Sequence, residues 1–265
     1  GGGINIAVGA GNSGSGGDLT MTAGDTVDRS GGQIVVASGA GIASSSGAII
    51  LLTPNAGVEG VRGSIGLFSG TSSHGNSGAI EVTTGNAVEG RSGAITMSAG
   101  SGNSGSGGNV AISAGQTTAS ATGGAVTLLS GWSHETSSGS IVVQTSNAGL
   151  AGVSGSIDAL TGSSTGGTSG TITLSSGNAE EGRGGDISFI VGQGNSGTGG
   201  EIVVSAGLTT AAASGGAVSI LAGGSAATSS GSITVDTPNA GTSGVSGFVR
   251  ISTGTSSSGN SGAVT

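Results

Sequence analysis

The sequence predicts an all-β fold, a β-solenoid of 15–16-residue strand–loop units, two units per coil and about 30–31 residues per coil. Three observations predict it. A six-residue phrase of alternating apolar and small residues recurs along the whole chain, as in "LTMTAG" (19–24), "AITMSAG" (94–100) and "ITLSSG" (172–177). The step between copies varies by a single residue, as from Ile95 to Val110 and then from Val110 to Val126. The connecting loops also alternate between a compact kind and a wordier kind.

Each unit reads apolar–x–apolar–x–small–Gly. Its first apolar positions run, in order, Ile4, Leu19, Ile34, Ile49, Ile65, Ile80, Ile95, Val110, Val126, Ile141, Ile157, Ile172, Ile187, Ile202, Val218, Ile233, Val249 and Val264. Alternation of β-branched and polar residues, bounded by glycine, is the pattern of a short strand with one covered face. On that reading Ile95 and Met97 point inward, and no unit can bury its face alone without a stacked neighbour. Compact loops such as "GSGNSGSGG" follow the odd units, and longer ones such as "PNAGVEGVRG" and "GQTTASATGG" follow the even units. Two kinds of corner imply two units per coil. "GNSGSGG" at 11–17 returns at 102–108 and, as "GNSGTGG", at 194–200, a superperiod of six units. Residues 1–265 are expected to form a single continuous repeat array, a fragment of a longer repetitive protein.

Composition argues against a flexible linker. Glycine fills 62 positions, but 33% of the residues are apolar and the net charge is only −8. Disordered segments normally combine low hydrophobicity with high charge. Lysine is absent and all five cations are arginine, so phosphate has little to bind and no nucleic-acid partner is expected. No apolar run approaches the ~18 residues of a membrane span, and no membrane partner is expected. Cysteine and tyrosine are also absent, which leaves no thiol or phenolic cross-link.

The chemistry-bearing residues are few, and no catalytic, cofactor-binding or metal-binding residue is assigned. His74 and His134 lie in separate odd corners, two coils apart in the predicted fold, where a shared metal is not expected. Asp18 and Asp186 follow Gly-Gly pairs, superficially like calcium-binding β-roll loops. The same place in other units holds Asn109, Glu201, Gln33, Ala79 or Ser140, and a column that accepts alanine is not a ligand column. Glu89 with Arg91, Glu180 and Glu181 with Arg183, and Glu59 with Arg62 occupy even corners and could pair between coils. Exposed pairs of that kind contribute only ~0–1 kcal/mol. Loops this short build no substrate cleft, so the chain is not read as an enzyme.

The fourth position of the odd units carries a distinct pattern. Phe68, Leu129, Leu160, Ile190 and Leu221 stand where the even units are mostly polar, and form a possible lateral contact stripe. The expected function is therefore structural: stacked β-coils building extracellular fibres, filaments or a surface or adhesive matrix through lateral or end-to-end self-association. Ice binding is an alternative, but Thr20/Thr22 is the one Thr-x-Thr pair on the even strands, and Glu81 and Asp236 interrupt that face. A calcium- or carbohydrate-binding extracellular module is a further alternative.

The phrases "GNSGSGGDLTMTAG", "TPNAGVEGVRG", "TPNAGTSGVSG" and "STGTSSSGNSGAVT" resemble the long Gly/Ser/Thr tandem-repeat proteins of diatoms and related algae, over the full chain. The resemblance implies a very long secreted protein of fibres, coats or attachment structures, and brings no active-site residues with it. Serines and threonines in the corners could carry O-glycans.

Overall fold

The computed structural model describes residues 2–12 and 15–265. The predicted all-β solenoid is not what the chain forms: among the described residues there is no strand and no helix. No described residue is buried either. Ile95 and Met97, expected to face inward, are 50% and 75% exposed. The chain divides into two units, Gly1–Leu129 and Ser130–Thr265, and the same local construction runs through each.

That construction is a clasped corner. A glycine stands two residues before every first apolar position, for example Gly32 before Ile34, Gly124 before Val126 and Gly216 before Val218. It faces the small fifth residue of the preceding phrase, nine or ten positions earlier. A β-carbon placed at Gly32 would lie 3.1 Å from the Ala23 β-carbon, and one at Gly170 would lie 3.3 Å from the Thr161 methyl. Where the fifth residue is valine the fit is closer still, at 2.8 Å between Gly200 and Val191. In the tightest corners, such as those closed by Gly32, Gly124, Gly200 and Gly216, the closing residue therefore has to lack a side chain, whereas at Gly78 or Gly185 a β-carbon would make ordinary contact at 3.7–3.8 Å. Most of the partly covered side chains, including Ala23, Thr53, Ala114, Ser130 and Thr145, occupy this fifth position.

In six corners the clasp is also a backbone hydrogen bond. The closing glycine donates its N–H to the carbonyl of the glycine that ends the phrase: Gly32 to Gly24, Gly47 to Gly39, Gly124 to Gly115, Gly139 to Gly131, Gly216 to Gly207 and Gly231 to Gly223, at 2.8–3.0 Å. The longer of the two unit lengths is absorbed inside the corner, as the one extra residue between Gly115 and Gly124 shows.

Within the alternating corners, several local features return after six units. Glu89 and Glu181 share one unusual backbone angle (φ 57° and 56°), as do Gly105 and Gly197 (φ 76° and 75°). Thr117 and Thr209 each accept a hydrogen bond from the backbone N–H two residues on, at 3.2 Å. Gly60 and Gly152 each donate to the glycine three residues back.

The physical reason for the missing sheet lies in where the backbone groups find partners. A strand requires a ladder of hydrogen bonds to a second strand. Outside regular elements, the backbone hydrogen bonds among the described residues all close within a single unit, spanning nine residues at most. Closing a loop of about ten residues costs roughly 1 kcal/mol less entropy than closing one of about thirty, the length of the expected coil. Glycine adds to the cost of any longer-range order, because it loses more backbone freedom on ordering than other residues. The corner thus closes on itself, while among the described residues the apolar phrases between corners pair with no second strand.

The clasp has a direct test. Gly124→Ala sets a β-carbon 3.2 Å from the Gly115 nitrogen, whereas nothing lies within 4 Å of a β-carbon at Gly115. Gly124→Ala is expected to open the corner at a cost of about 1 kcal/mol, and Gly115→Ala to leave it closed. Amide hydrogen exchange at position 124 reads the difference, and equal protection in both variants would contradict the clasp.

Candidate functional site

The candidate residues all sit in or beside corners, so the clasp decides their surroundings. Among the described residues there is no pocket and no group of three or more metal-ligating side chains. His74 lies in the corner that contains Gly75, whose φ of 131° is a conformation that suits glycine. His134 lies in the corner closed by Gly139 and Gly131, beside Trp132.

Two of the three arginines expected to pair with glutamates between coils, Arg62 and Arg183, have partners within their own units instead. Arg62 donates from Nη2 to the Thr53 carbonyl at 2.6 Å, across the corner, and so braces the loop in which Glu59 also lies. Arg183 pairs with Asp186 three residues on, both side chains largely exposed. Such a pair contributes little in water. Asp158 accepts a hydrogen bond from Ser156 at 2.9 Å. For Arg62 and Arg183 the expected inter-coil pairing gives way to partners within ten residues.

Glu89 and Glu181 carry backbone strain at matching places. Each holds a left-handed backbone conformation immediately before a glycine, Gly90 or Gly182, that could adopt it without cost. For a residue with a β-carbon this conformation costs roughly 1–2 kcal/mol.

The five residues of the expected contact stripe are among the more open apolar side chains. Phe68 is 90% exposed and Leu221 83%, with Leu129, Leu160 and Ile190 between them. The Phe68 ring folds back over Gly66, where an added β-carbon would meet it at 2.3 Å. Without stacked coils the stripe is five separate apolar points, Phe68 and Leu129 in the first unit and Leu160, Ile190 and Leu221 in the second.

One grouping escaped the sequence reading. Trp132 and His134 form a perpendicular aromatic pair with ring centroids 6.2 Å apart. The signal was present in "GWSHETSSG", which holds the sole tryptophan and one of two histidines. Its meaning appears on comparison with "GGSAATSSG" at 223–231, which has the same closing and serine–threonine hydrogen bonds, one further bond from the Ala227 N–H to Ser225 Oγ, and none of these side chains.

The strain at Glu181 is open to measurement. Glu181→Gly is expected to favour the left-handed conformation at residue 181 by roughly 1 kcal/mol, read as a larger left-handed population from backbone J-couplings and chemical shifts. A smaller population would mean that the glutamate side chain itself holds the corner. Comparison with known proteins finds no matching family, no matching characterised protein and no matching solved structure.

Proposed function

We propose that this chain is a structural repeat protein that self-associates, laterally or end to end, in extracellular fibres or in a surface or adhesive matrix. The observation that carries this reading is the apolar half of the repeat. Every unit presents Ile, Leu, Val, Met or Phe at fixed places, and none of these side chains is buried among the described residues. Ordering a residue costs about 1–2 kcal/mol of backbone entropy, while burying a Leu, Ile or Phe side chain returns about 1.5–3 kcal/mol. A single chain with nothing buried does not collect that return, and a second surface of the same period would supply it. Repetition then multiplies weak contacts without requiring any one of them to be strong.

The secreted setting rests on the resemblance of the corner phrases to the algal Gly/Ser/Thr repeat proteins. The exposed serines and threonines of the corners suit O-glycan attachment in that setting. The absence of lysine, tyrosine and cysteine means that cohesion comes from packing, hydrogen bonding and glycans.

Light scattering and electron microscopy across a concentration series test the proposal. The full chain is expected to form assemblies above a threshold concentration. Replacing Phe68, Leu129, Leu160, Ile190 and Leu221 together by serine is expected to raise that threshold by roughly tenfold or more. A chain that stays monomeric at every concentration would overturn the reading, and an unchanged threshold in the variant would remove the five residues from it.

A further inference from the structure

Three corners of the same kind, at 39–47, 131–139 and 223–231, offer an internal comparison. All three are closed by the same glycine-to-glycine hydrogen bond, at 2.9, 2.8 and 2.9 Å. In the second and third, a serine hook braces the loop. Ser133 Oγ accepts from the Thr136 N–H at 3.1 Å and lies 2.9 Å from its hydroxyl. Ser225 does the same with Thr228, at 2.9 Å and 3.0 Å. The loop backbone is therefore held by residues that the two corners share. They differ at three positions only: Trp132, His134 and Glu135 stand where the third corner has Gly224, Ala226 and Ala227. These three side chains do nothing to close the loop, since the third corner closes without them.

We propose that the 131–139 corner is a saccharide-binding site, with Trp132 as the stacking platform and His134 and Glu135 as hydrogen-bonding partners for sugar hydroxyls. Trp132 is 80% exposed, and its one aromatic neighbour stands perpendicular to it, so at least one indole face is open. The face of an indole is electron-rich and attracts the polarised C–H bonds on the apolar face of a pyranose ring. The equatorial hydroxyls around such a ring need both donors and acceptors. A neutral imidazole supplies one of each, and a carboxylate supplies acceptors. Neither the His134 ring nitrogens nor the Glu135 carboxylate has a hydrogen-bond partner among the described residues, so both are available to a ligand. A quaternary ammonium ion also binds indole, but its recognition uses a cage of several aromatic faces, and this corner has one indole with a single edge-on neighbour. A metal ion would find two of its ligand types here and not a third. The site stands independently of the self-association proposed above.

The chain contains one tryptophan and no tyrosine, so its indole emission reports on this corner alone. Titration of the full chain with cellohexaose is expected to shift Trp132 emission saturably. His134→Ala and Glu135→Ala are each expected to weaken the response by roughly tenfold or more. Calorimetry covers the variants that move the indole. Trp132→Gly with His134→Ala and Glu135→Ala reproduces the third corner's sequence and should abolish binding while the loop stays closed. The converse set, Gly224→Trp, Ala226→His and Ala227→Glu, should raise the stoichiometry from one to two, since nothing lies within 4 Å of a β-carbon at Gly224. Absence of a saturable response would overturn the proposal. So would an unchanged response in the His134 and Glu135 variants, or saturation by tetramethylammonium chloride with none by cellohexaose.

Discussion

The contact between a side-chain-free glycine and the small residue nine or ten positions before it underlies the rest of this structure. In six corners it is accompanied by a backbone hydrogen bond that closes the polar loop. It also explains why the fifth residue of the phrase stays small: alanine, serine, threonine and at most valine fit against the closing glycine. A one-residue change in unit length is absorbed inside the corner, so the phrase on either side keeps its form.

This local closure separates the chain's two halves of chemistry. Where polar loops are hydrogen-bonded within the chain, the bonds are short-range backbone and hydroxyl ones. Apolar phrases are presented at regular intervals with nothing of their own to cover them. A globular domain resolves that tension by folding its apolar faces together. Here the corners carry the order, and the apolar residues are left as contact points, which is the arrangement an assembling repeat protein can use. Arg62 and Arg183 show the same preference for near partners, reaching a carbonyl nine residues away and a carboxylate three residues away.

The 131–139 corner shows what such a scaffold permits. Because Gly131, Ser133, Thr136 and Gly139 maintain the loop, the positions between them can change without disturbing it. Tryptophan, histidine and glutamate occupy them once, while the 223–231 corner has Gly224, Ala226 and Ala227 and the 39–47 corner has Ala40, Ile42 and Ala43. A site on such a loop is positioned by its backbone frame, and its chemistry is set separately by the inserted side chains.

Period, phase and superperiod were legible in the sequence, because Ile95, Val110 and their counterparts recur at a near-constant step regardless of how the chain folds. The glycine two residues before each of them was equally visible, although its partner was not. Alternation alone suggested strands, since it measures which side chains share a face and not whether another backbone lies alongside. That decision belongs to the three-dimensional structure. Hydrogen bonds from Gly32 to Gly24 and from Gly124 to Gly115 close within the unit, no ladder runs between units among the described residues, and Ile95 is left half-exposed. The sequence by itself determined where apolar residues stand and where the chain must be free of side chains. Only the tertiary structure decided that closure is local, because a loop of about ten residues reaches its partner at less entropic cost than one of about thirty.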